Sequence, residues 1–401
     1  MLSRVFKAFH YREFRLLWFG ACTSSIGTWM QIVAQSWLVF SISKSAFMLG
    51  LDGFLGQIPI LLFSLIGGVI ADRIDRRRVL LGSQYVQMTC AFLLTLLIAF
   101  NVVKVWHILS LSFVVGCAQA FGGPAYSALV PMLVEKEDLP NAIALNSIQF
   151  NLARVIGPVL GGLALTGLGA AWCFGLNGLS FVAVIISLLM LTVKFKPAKT
   201  DESILTGVKQ GIGFVRRQGA MVGLIALAFC MTALAIPTLT FLPVFAKDVF
   251  HRGPTAFTIL LSCSGIGSVA GALIVAAFGN VQNKGRIALL TLLLLGGAIA
   301  GFAVSKSIVV SGALLILSGA AMMGVFSMVS SLVQLITANE MRGRVMSVYN
   351  LAFRGGMPLG SLATGWLVPM YTAPHVLAVN GFLLVAVGCY FLLVQRRVAA
   401  L

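Results

Sequence analysis

Three ionisable side chains fall inside long apolar stretches of this sequence: Asp52, Arg154 and Arg354. Charged groups are costly in hydrocarbon, so they are functional candidates. Asp52 is the only carboxylate in these stretches, which makes it the candidate for carrying a proton; hydration near a helix end is the alternative. Arg154 and Arg354 lie about 20 Å and about 15 Å into their predicted helices. They predict a positive cavity for anionic or strongly electronegative groups, unless each binds carbonyls of a broken or neighbouring helix.

Polar amides offer a second set of contacts inside the same stretches. They can line a cavity and bind a substrate, or they can join helices to one another. The amides predicted to line a cavity are Gln31, Gln35, Gln57, Gln119, Asn151 and Asn350.

Enzyme chemistry is not indicated by the sequence. The apolar stretches contain no carboxylate pair and no Ser–His set. The seven cysteines all lie in apolar stretches without metal-ligand spacing, so we infer neither a metal site nor disulfides. A Walker A lysine loop is also missing from the sequence. We therefore predict a protein without catalytic residues, cofactors or bound metal.

The composition indicates the elements that must position these residues. Of the 401 residues, 59% are hydrophobic and 10% are charged, whereas soluble domains have about 25% charged residues. Apolar runs of this length predict membrane-spanning helices. The predicted spans are 14–42, 46–71, 79–100, 105–126, 141–167, 170–193, 221–246, 255–278, 286–304, 308–336, 345–369 and 375–395.

The longest polar stretch, residues 194–219, divides the chain into two halves of six spans each, 1–193 and 220–401. Apolar residues spaced by three or four within it indicate a short amphipathic helix on the membrane surface. A disordered linker is the alternative. The apolar residues with this spacing are Leu205, Val208, Ile212 and Val215.

Basic residues predict the orientation in the membrane. We assign 21 of the 28 lysines and arginines to one side, and the basic side stays in the cytoplasm. Both termini are therefore predicted to be cytoplasmic, and the net charge of +17 reflects topology rather than nucleic-acid binding. The first span lacks a cleavage site, so we expect no cleavable signal peptide.

The two halves share a repeated stretch. Residues 150–162 read FNLARVIGPVLGG and residues 349–361 read YNLAFRGGMPLGS, about 200 positions apart. Repeated six-span halves predict two pseudo-symmetric six-helix bundles with a binding site between them near the membrane midplane.

Residues 67–78, GGVIADRIDRRR, separate the second and third spans. They resemble the signature of the major facilitator superfamily: Gly, three residues, Asp, Arg and a basic run. That superfamily usually has Gly where this chain has Asp75, but the departure is common in a branch of enterobactin-exporter-like secretion proteins. Residues 14–51 and 139–162 resemble the same branch. The resemblance covers the whole chain and implies the superfamily's fold of twelve helices in two bundles.

The resemblance also implies a cytoplasmic gate. In the superfamily, the Asp of this signature meets the N-terminal end of the eleventh span, which carries a partial positive charge. Glycine one turn earlier would allow the close approach, and arginines would pair with nearby acidic residues, for which we expect Glu135, Glu137 or Asp138. The predicted gate residues are Gly68, Asp72, Arg73, Arg76 and Arg77.

The GPVLGG run resembles a fifth-span motif of antiporters that export drugs and metabolites, although Ala153 stands where their motif begins with Gly. Pro158 predicts a kink. Small residues allow another helix to approach closely; these are Gly157, Gly161 and Gly162. Such a helix can serve as a sliding surface between two states, or it can simply pack tightly.

Together these patterns predict a secondary active exporter of a small amphipathic molecule (siderophore-, drug- or metabolite-like) that works by alternating access. Proton antiport is the expected energy source. An importer of a small anionic solute and a lipid flippase are the alternatives. We expect a monomer in the bacterial inner membrane, with the bilayer and the small-molecule substrate as its partners.

Overall fold

We analysed a computed structural model that describes residues 6–192, 204–277, 282–338 and 340–401, the side chains of 65, 69, 71, 72 and 204–209 excepted. Helices make up most of these ranges, and none of the described residues lies in a strand. The predicted all-helical fold is confirmed.

Twelve long helices follow one another along the described chain, and each matches one predicted span. They are α1 Arg12–Ser43, α2 Ala46–Arg73, α3 Arg76–Ala99, α4 Val105–Leu129, α5 Leu139–Gly167, α6 Ala170–Leu189, α7 Gly219–Thr240, α8 Pro254–Ala277, α9 Lys284–Val304, α10 Ile308–Leu335, α11 Arg342–Tyr371 and α12 Ala373–Leu393. A shorter helix, Ile204–Arg217, lies between α6 and α7 and is called the linker helix below.

Ten of the long helices are long and apolar enough to cross a membrane, judged over the described residues. The other two, α1 and α11, have a lower hydropathy because charges and amides interrupt their apolar residues, among them Gln31 and Gln35 in α1 and Arg354 in α11. For these two helices, membrane crossing stays a prediction.

Local signals explain where helices begin and turn. Asp75 caps α3, because its carboxylate accepts a hydrogen bond of 2.9 Å from the backbone N–H of Arg77. A side-chain cap satisfies one of the unpaired donors of a helix start. Gly169 has φ of 91°, a conformation that glycine adopts without strain, and it allows the turn between α5 and α6.

The chain forms two compact units: Met1–Ile42 with Ile58–Asp201, and Ser43–Gln57 with Glu202–Leu401. The first half of α2 thus belongs to the second unit. Each unit has its own apolar core. In the first unit α1, α3, α4, α5 and α6 contribute to it, and in the second α7, α9, α10, α11 and α12 do.

The linker helix packs against α11. A Cβ at Gly211 would come within 2.7 Å of the carbonyl oxygen of Arg344, so the two backbones approach closely there. Val215 is buried in the core of the second unit, and Ile212 packs against that core. The predicted amphipathic helix therefore packs against protein through Ile212 and Val215, while the side chains of Leu205 and Val208 lie outside the described residues. Its location at the membrane surface stays a prediction.

Candidate functional site

Asp52 lies in the first half of α2 and is 8% exposed. The same stretch packs against α11 through small residues. A Cβ at Gly50 would come within 2.9 Å of the Cα of Gly365, and a Cβ at Gly53 would lie 3.4 Å from the Cβ of Ser361. The in-span carboxylate is therefore held in a tightly packed part of the second unit.

Arg154 lies in α5 beside an aromatic pair. Its Cζ is 5.8 Å from the centroid of the Trp29 ring, within the range of a cation–π interaction. Trp29 in turn meets Phe150 edge-to-face, with ring centroids 6.3 Å apart. Arg154 is partly buried in this arrangement.

Arg354 does not occupy the equivalent position in α11. The aligned stretches show why: Gly157 and Gly161 match Gly356 and Gly360, 199 positions later, whereas the two arginines are 200 apart. Moving one residue along an α-helix changes the direction of the side chain by about 100° around the helix axis. Arg354 is accordingly exposed, and the arginines present different helix faces.

Two of the predicted amides form a hydrogen-bonded chain across three helices of the first unit. Gln35 in α1 donates to Ser112 Oγ in α4 at 2.9 Å, and Gln31 donates to Gln35 Oε1 at 3.4 Å. Asn177 in α6 donates to Gln31 Oε1 at 2.6 Å. Ser180 completes the chain, since its hydroxyl donates to Asn177 Oδ1 at 3.0 Å. This amide chain joins helices α4, α1 and α6.

The Asn177→Leu substitution tests the amide chain. Because Asn177 is 2% exposed, losing it leaves Gln31 Oε1 without its interhelical donor. We expect the free energy of unfolding to fall by about 0.5–2 kcal/mol, the span of values for hydrogen bonds between membrane helices. Unfolding in mixed micelles measures this.

Asn151→Leu is the matched control for that measurement. Among the described residues, the Asn151 amide donates to the Ser147 carbonyl of its own helix, at 2.8 Å, and makes no hydrogen bond to another helix. Its loss should change the free energy of unfolding by less than half as much. Equal losses from the two variants would contradict a structural role for the amide chain.

Gln119 takes part in a second contact, donating to Gln87 Oε1 in α3 at 3.3 Å. Asn151 bonds to its own helix, Gln57 is partly buried in α2, and Asn350 is exposed on α11. Of the six predicted amides, Gln31 and Gln35 are the pair that the structure joins by a hydrogen bond among the described residues.

A third polar cluster was missed by the sequence analysis. Gln149 in α5 donates to Ser25 Oγ at 2.8 Å and to the Ala21 carbonyl at 3.1 Å, both in α1. Tyr126 in α4 donates to Asn146 Oδ1 at 3.1 Å. The available signal was the spacing of Asn146 and Gln149, which places both on one face of α5.

Two of the predicted gate arginines donate hydrogen bonds to backbone carbonyls. Arg76 donates to the carbonyl of Ala128 at 2.9 Å, and Arg77 donates to that of Leu189 at 2.6 Å. We had expected acidic partners for Arg73 and Arg77, but Arg77 binds this carbonyl and Arg73 is exposed.

Asp138, one of the acidic residues expected to pair with the gate arginines, has other partners in the structure. Asp138 accepts a hydrogen bond from Tyr11 at 3.0 Å and forms an ion pair with Lys7 at 3.5 Å. These contacts tie the segment before α1 to the start of α5.

Two adjacent glycines in α2 differ in their surroundings. A Cβ at Gly67 would overlap the carbonyl oxygen of Ala120 in α4, whereas a Cβ at Gly68 would meet no described atom within 4 Å. The side chain of Asp72 lies outside the described residues. In this conformation, packing among the described residues does not require glycine at position 68.

The fifth-span glycines contact α1. A Cβ at Gly157 would come within 2.9 Å of the Ile26 carbonyl oxygen, and one at Gly161 would come equally close to that of Met30. The second unit repeats this crossing: Gly356 and Gly360 of α11 face Phe229–Ala233 of α7 in the same way. In each unit the fifth long helix of its half therefore packs on the first through glycines.

Among the described residues, no group of three or more His, Cys, Asp and Glu side chains could hold a metal ion. Apolar helices of membrane-spanning length in two units, with polar groups between their helices, are typical of a multi-pass membrane protein. The chain belongs to the transmembrane secretion effector family, whose model matches residues 3–400. The predicted superfamily and all-helical fold are confirmed, as is the prediction that the protein is a transporter and not an enzyme. The count of twelve membrane-crossing helices stays a prediction.

Individual relatives agree with this family. Macrolide efflux protein A of Streptococcus pyogenes is 22% identical, over 94% of this chain and 94% of its own length. The enterobactin exporter EntS of Shigella boydii is 26% identical, over 95% and 91%. A crystal structure of a POT family transporter with a bound peptide conjugate superposes with a TM-score of 0.77 at 13% identity, over 96% of each chain. At that identity the match shows the fold alone.

Proposed function

We propose that the protein exports small amphipathic molecules across the bacterial plasma membrane by alternating access. The observation that carries this proposal is the family match over residues 3–400. It is supported by relatives of nearly equal length whose names are those of exporters, one for macrolides and one for enterobactin.

The packing of each unit supports alternating access. Glycines allow the backbone of α5 to pack closely against that of α1, and the backbone of α11 to pack closely against that of α7. Helices joined in this way can move as one body or slide along a smooth surface. Movement as one body would suit the rocking of one helix bundle against the other that alternating access involves.

Proton antiport is our proposal for the energy source. Asp52 is a buried carboxylate inside a predicted span, and residues of this kind serve as proton relays in transporters. In the proposed cycle, Asp52 takes up a proton from the outer side when the substrate has left there, and releases it inside when the next substrate molecule binds.

Transport into proteoliposomes tests the proposed function. The purified protein would be reconstituted and offered a macrolide, enterobactin and a cationic dye, with and without an imposed pH gradient. We expect at least one of the three to accumulate in vesicles with an acidic lumen and the accumulation to collapse when the gradient is dissipated.

Protein-free liposomes control for passive partition of each compound. Accumulation that ignores the pH gradient would contradict proton antiport but not transport. Failure of all three compounds to accumulate above the protein-free level would contradict the proposed export.

A further inference from the structure

Arg154 is a charged group without a counter-charge. In the part of the chain that the structure describes, the guanidinium forms no ion pair and no hydrogen bond. Its recorded contact is the Trp29 ring, 5.8 Å from Cζ. An arginine inside a span usually faces a partner, because an unpaired charge is costly in a membrane. The donors of Arg154 are therefore available to a ligand.

Gly157 explains how the tryptophan reaches this position. It lies three residues after Arg154 and so on the same side of α5, where a side chain would overlap the Cβ of Trp29. Without a side chain at 157, α1 comes close enough for the Trp29 ring to contact Arg154. The glycine thus creates this aromatic contact.

The aromatic contact leaves the hydrogen-bonding edge of the arginine unused. A guanidinium is planar and permanently charged, and its five N–H donors point outward in its plane. A ring contact uses none of these donors. Trp29 and Phe150, arranged edge-to-face with centroids 6.3 Å apart, add apolar surface beside the charge. This combination suits an oxyanion that is attached to an apolar or aromatic group.

We propose that Arg154, Trp29 and Phe150 form a substrate subsite for a carboxylate, or a similar bidentate oxyanion, carried on an aromatic or apolar body. The inference rests on the proposed function, since it names the class of compound that the exporter takes. The subsite uses a single arginine: Arg354 is exposed and has no recorded ring contact among the described residues.

Binding of a matched pair of probes tests the subsite. Naphthalene-2-carboxylate and the neutral naphthalene-2-carboxamide have the same ring and nearly the same size. Their dissociation constants would be measured by isothermal titration on the purified full-length protein. We expect the carboxylate to bind at least about tenfold more tightly than the amide, because charge-assisted bidentate hydrogen bonds form only with the anion.

Arg154→Gln is expected to reduce that preference to within about twofold, since the charge and the paired donors are lost together. Trp29→Leu should weaken the binding of both probes by similar factors, because the naphthalene ring of each can contact the Trp29 ring. Arg396→Gln is the control. It removes a charge from an exposed arginine that donates to Leu393, and the tenfold preference should remain.

Arg154→Lys keeps the test decisive if Arg154→Gln does not fold. Lysine retains the charge without the fork geometry, so the preference should fall but stay above that of a neutral residue. Equal affinity of the wild-type protein for the two probes would overturn the inference, as would absence of carboxylate binding. An undiminished preference in the folded Gln or Lys variant would overturn it too.

The proposed function is judged separately, by vesicle accumulation. Carboxylate-selective binding without any transport would support the subsite and contradict export. Transport of macrolide alone, with no carboxylate preference in binding, would support export and overturn the subsite.

Discussion

Replacing Gly67 with valine is expected to abolish the yield of folded protein. A Cβ at this position overlaps the carbonyl oxygen of Ala120, a backbone atom that cannot move without separating α2 from α4. Overpacking of this kind costs about 3 kcal/mol, which is roughly a hundredfold in the folding equilibrium. Size-exclusion chromatography of a fluorescently tagged protein measures the folded yield.

Gly68→Val is the matched control, one residue further along the same helix. No described atom lies within 4 Å of a Cβ there, so this variant should fold in normal yield. It should nevertheless fail to transport, because we propose that Gly68 and Asp72 approach the start of α11 in another state of the cycle. Full transport by both Gly68→Val and Asp72→Asn would contradict the proposed role of these residues in a cytoplasmic gate. Poor folding of Gly68→Val would contradict the finding that a side chain at position 68 has room.

Replacing Asp52 with asparagine is expected to abolish transport driven by a pH gradient while sparing exchange of substrate across the vesicle membrane. Asparagine has nearly the same shape as aspartate but cannot bind and release a proton near neutral pH. The buried position of Asp52, 8% exposed, should therefore tolerate the change. Accumulation under an imposed gradient and substrate counterflow without a gradient are the two measurements.

Asp248→Asn is the companion variant for this experiment. Asp248 is an exposed carboxylate in the short helical segment Phe245–Val249, beyond the predicted span 221–246. We expect it to retain gradient-driven accumulation. If Asp52→Asn accumulated substrate as well as this control, the carboxylate of Asp52 could not be the proton carrier.

The helices were predictable because apolar runs of spanning length leave few alternatives. The charges between α2 and α3 marked the boundary between two helices, where Asp75 serves as a cap. The linker helix was predicted as a helix, but its docking on α11 was not, because its close approach depends on Gly211 meeting the backbone of Arg344. Sequence periodicity shows which face is apolar and does not show what covers that face.

The site was less predictable than the fold. Gln31 and Gln35 were two of six amides predicted either to line a cavity or to join helices, and the structure shows them joining helices. Their partners Ser112 and Asn177 are far away in sequence and carry no distinctive pattern. The two arginines looked equivalent at an offset of 200, whereas the glycine faces align at 199. A shift of one residue turns a side chain by about 100° around the helix axis, so Arg154 and Arg354 lie on different faces of their helices.

The division of α2 between the two units has a mechanical consequence. The boundary falls between Gln57 and Ile58, inside one continuous helix. Pro59 removes a backbone hydrogen bond at this point, and a Cβ at Gly56 would meet no described atom within 4 Å. This turn lacks one of the hydrogen bonds that stiffen a helix, so α2 should bend more easily here than in its other turns. Pro59→Ala would allow that hydrogen bond to form and would make this turn of α2 stiffer.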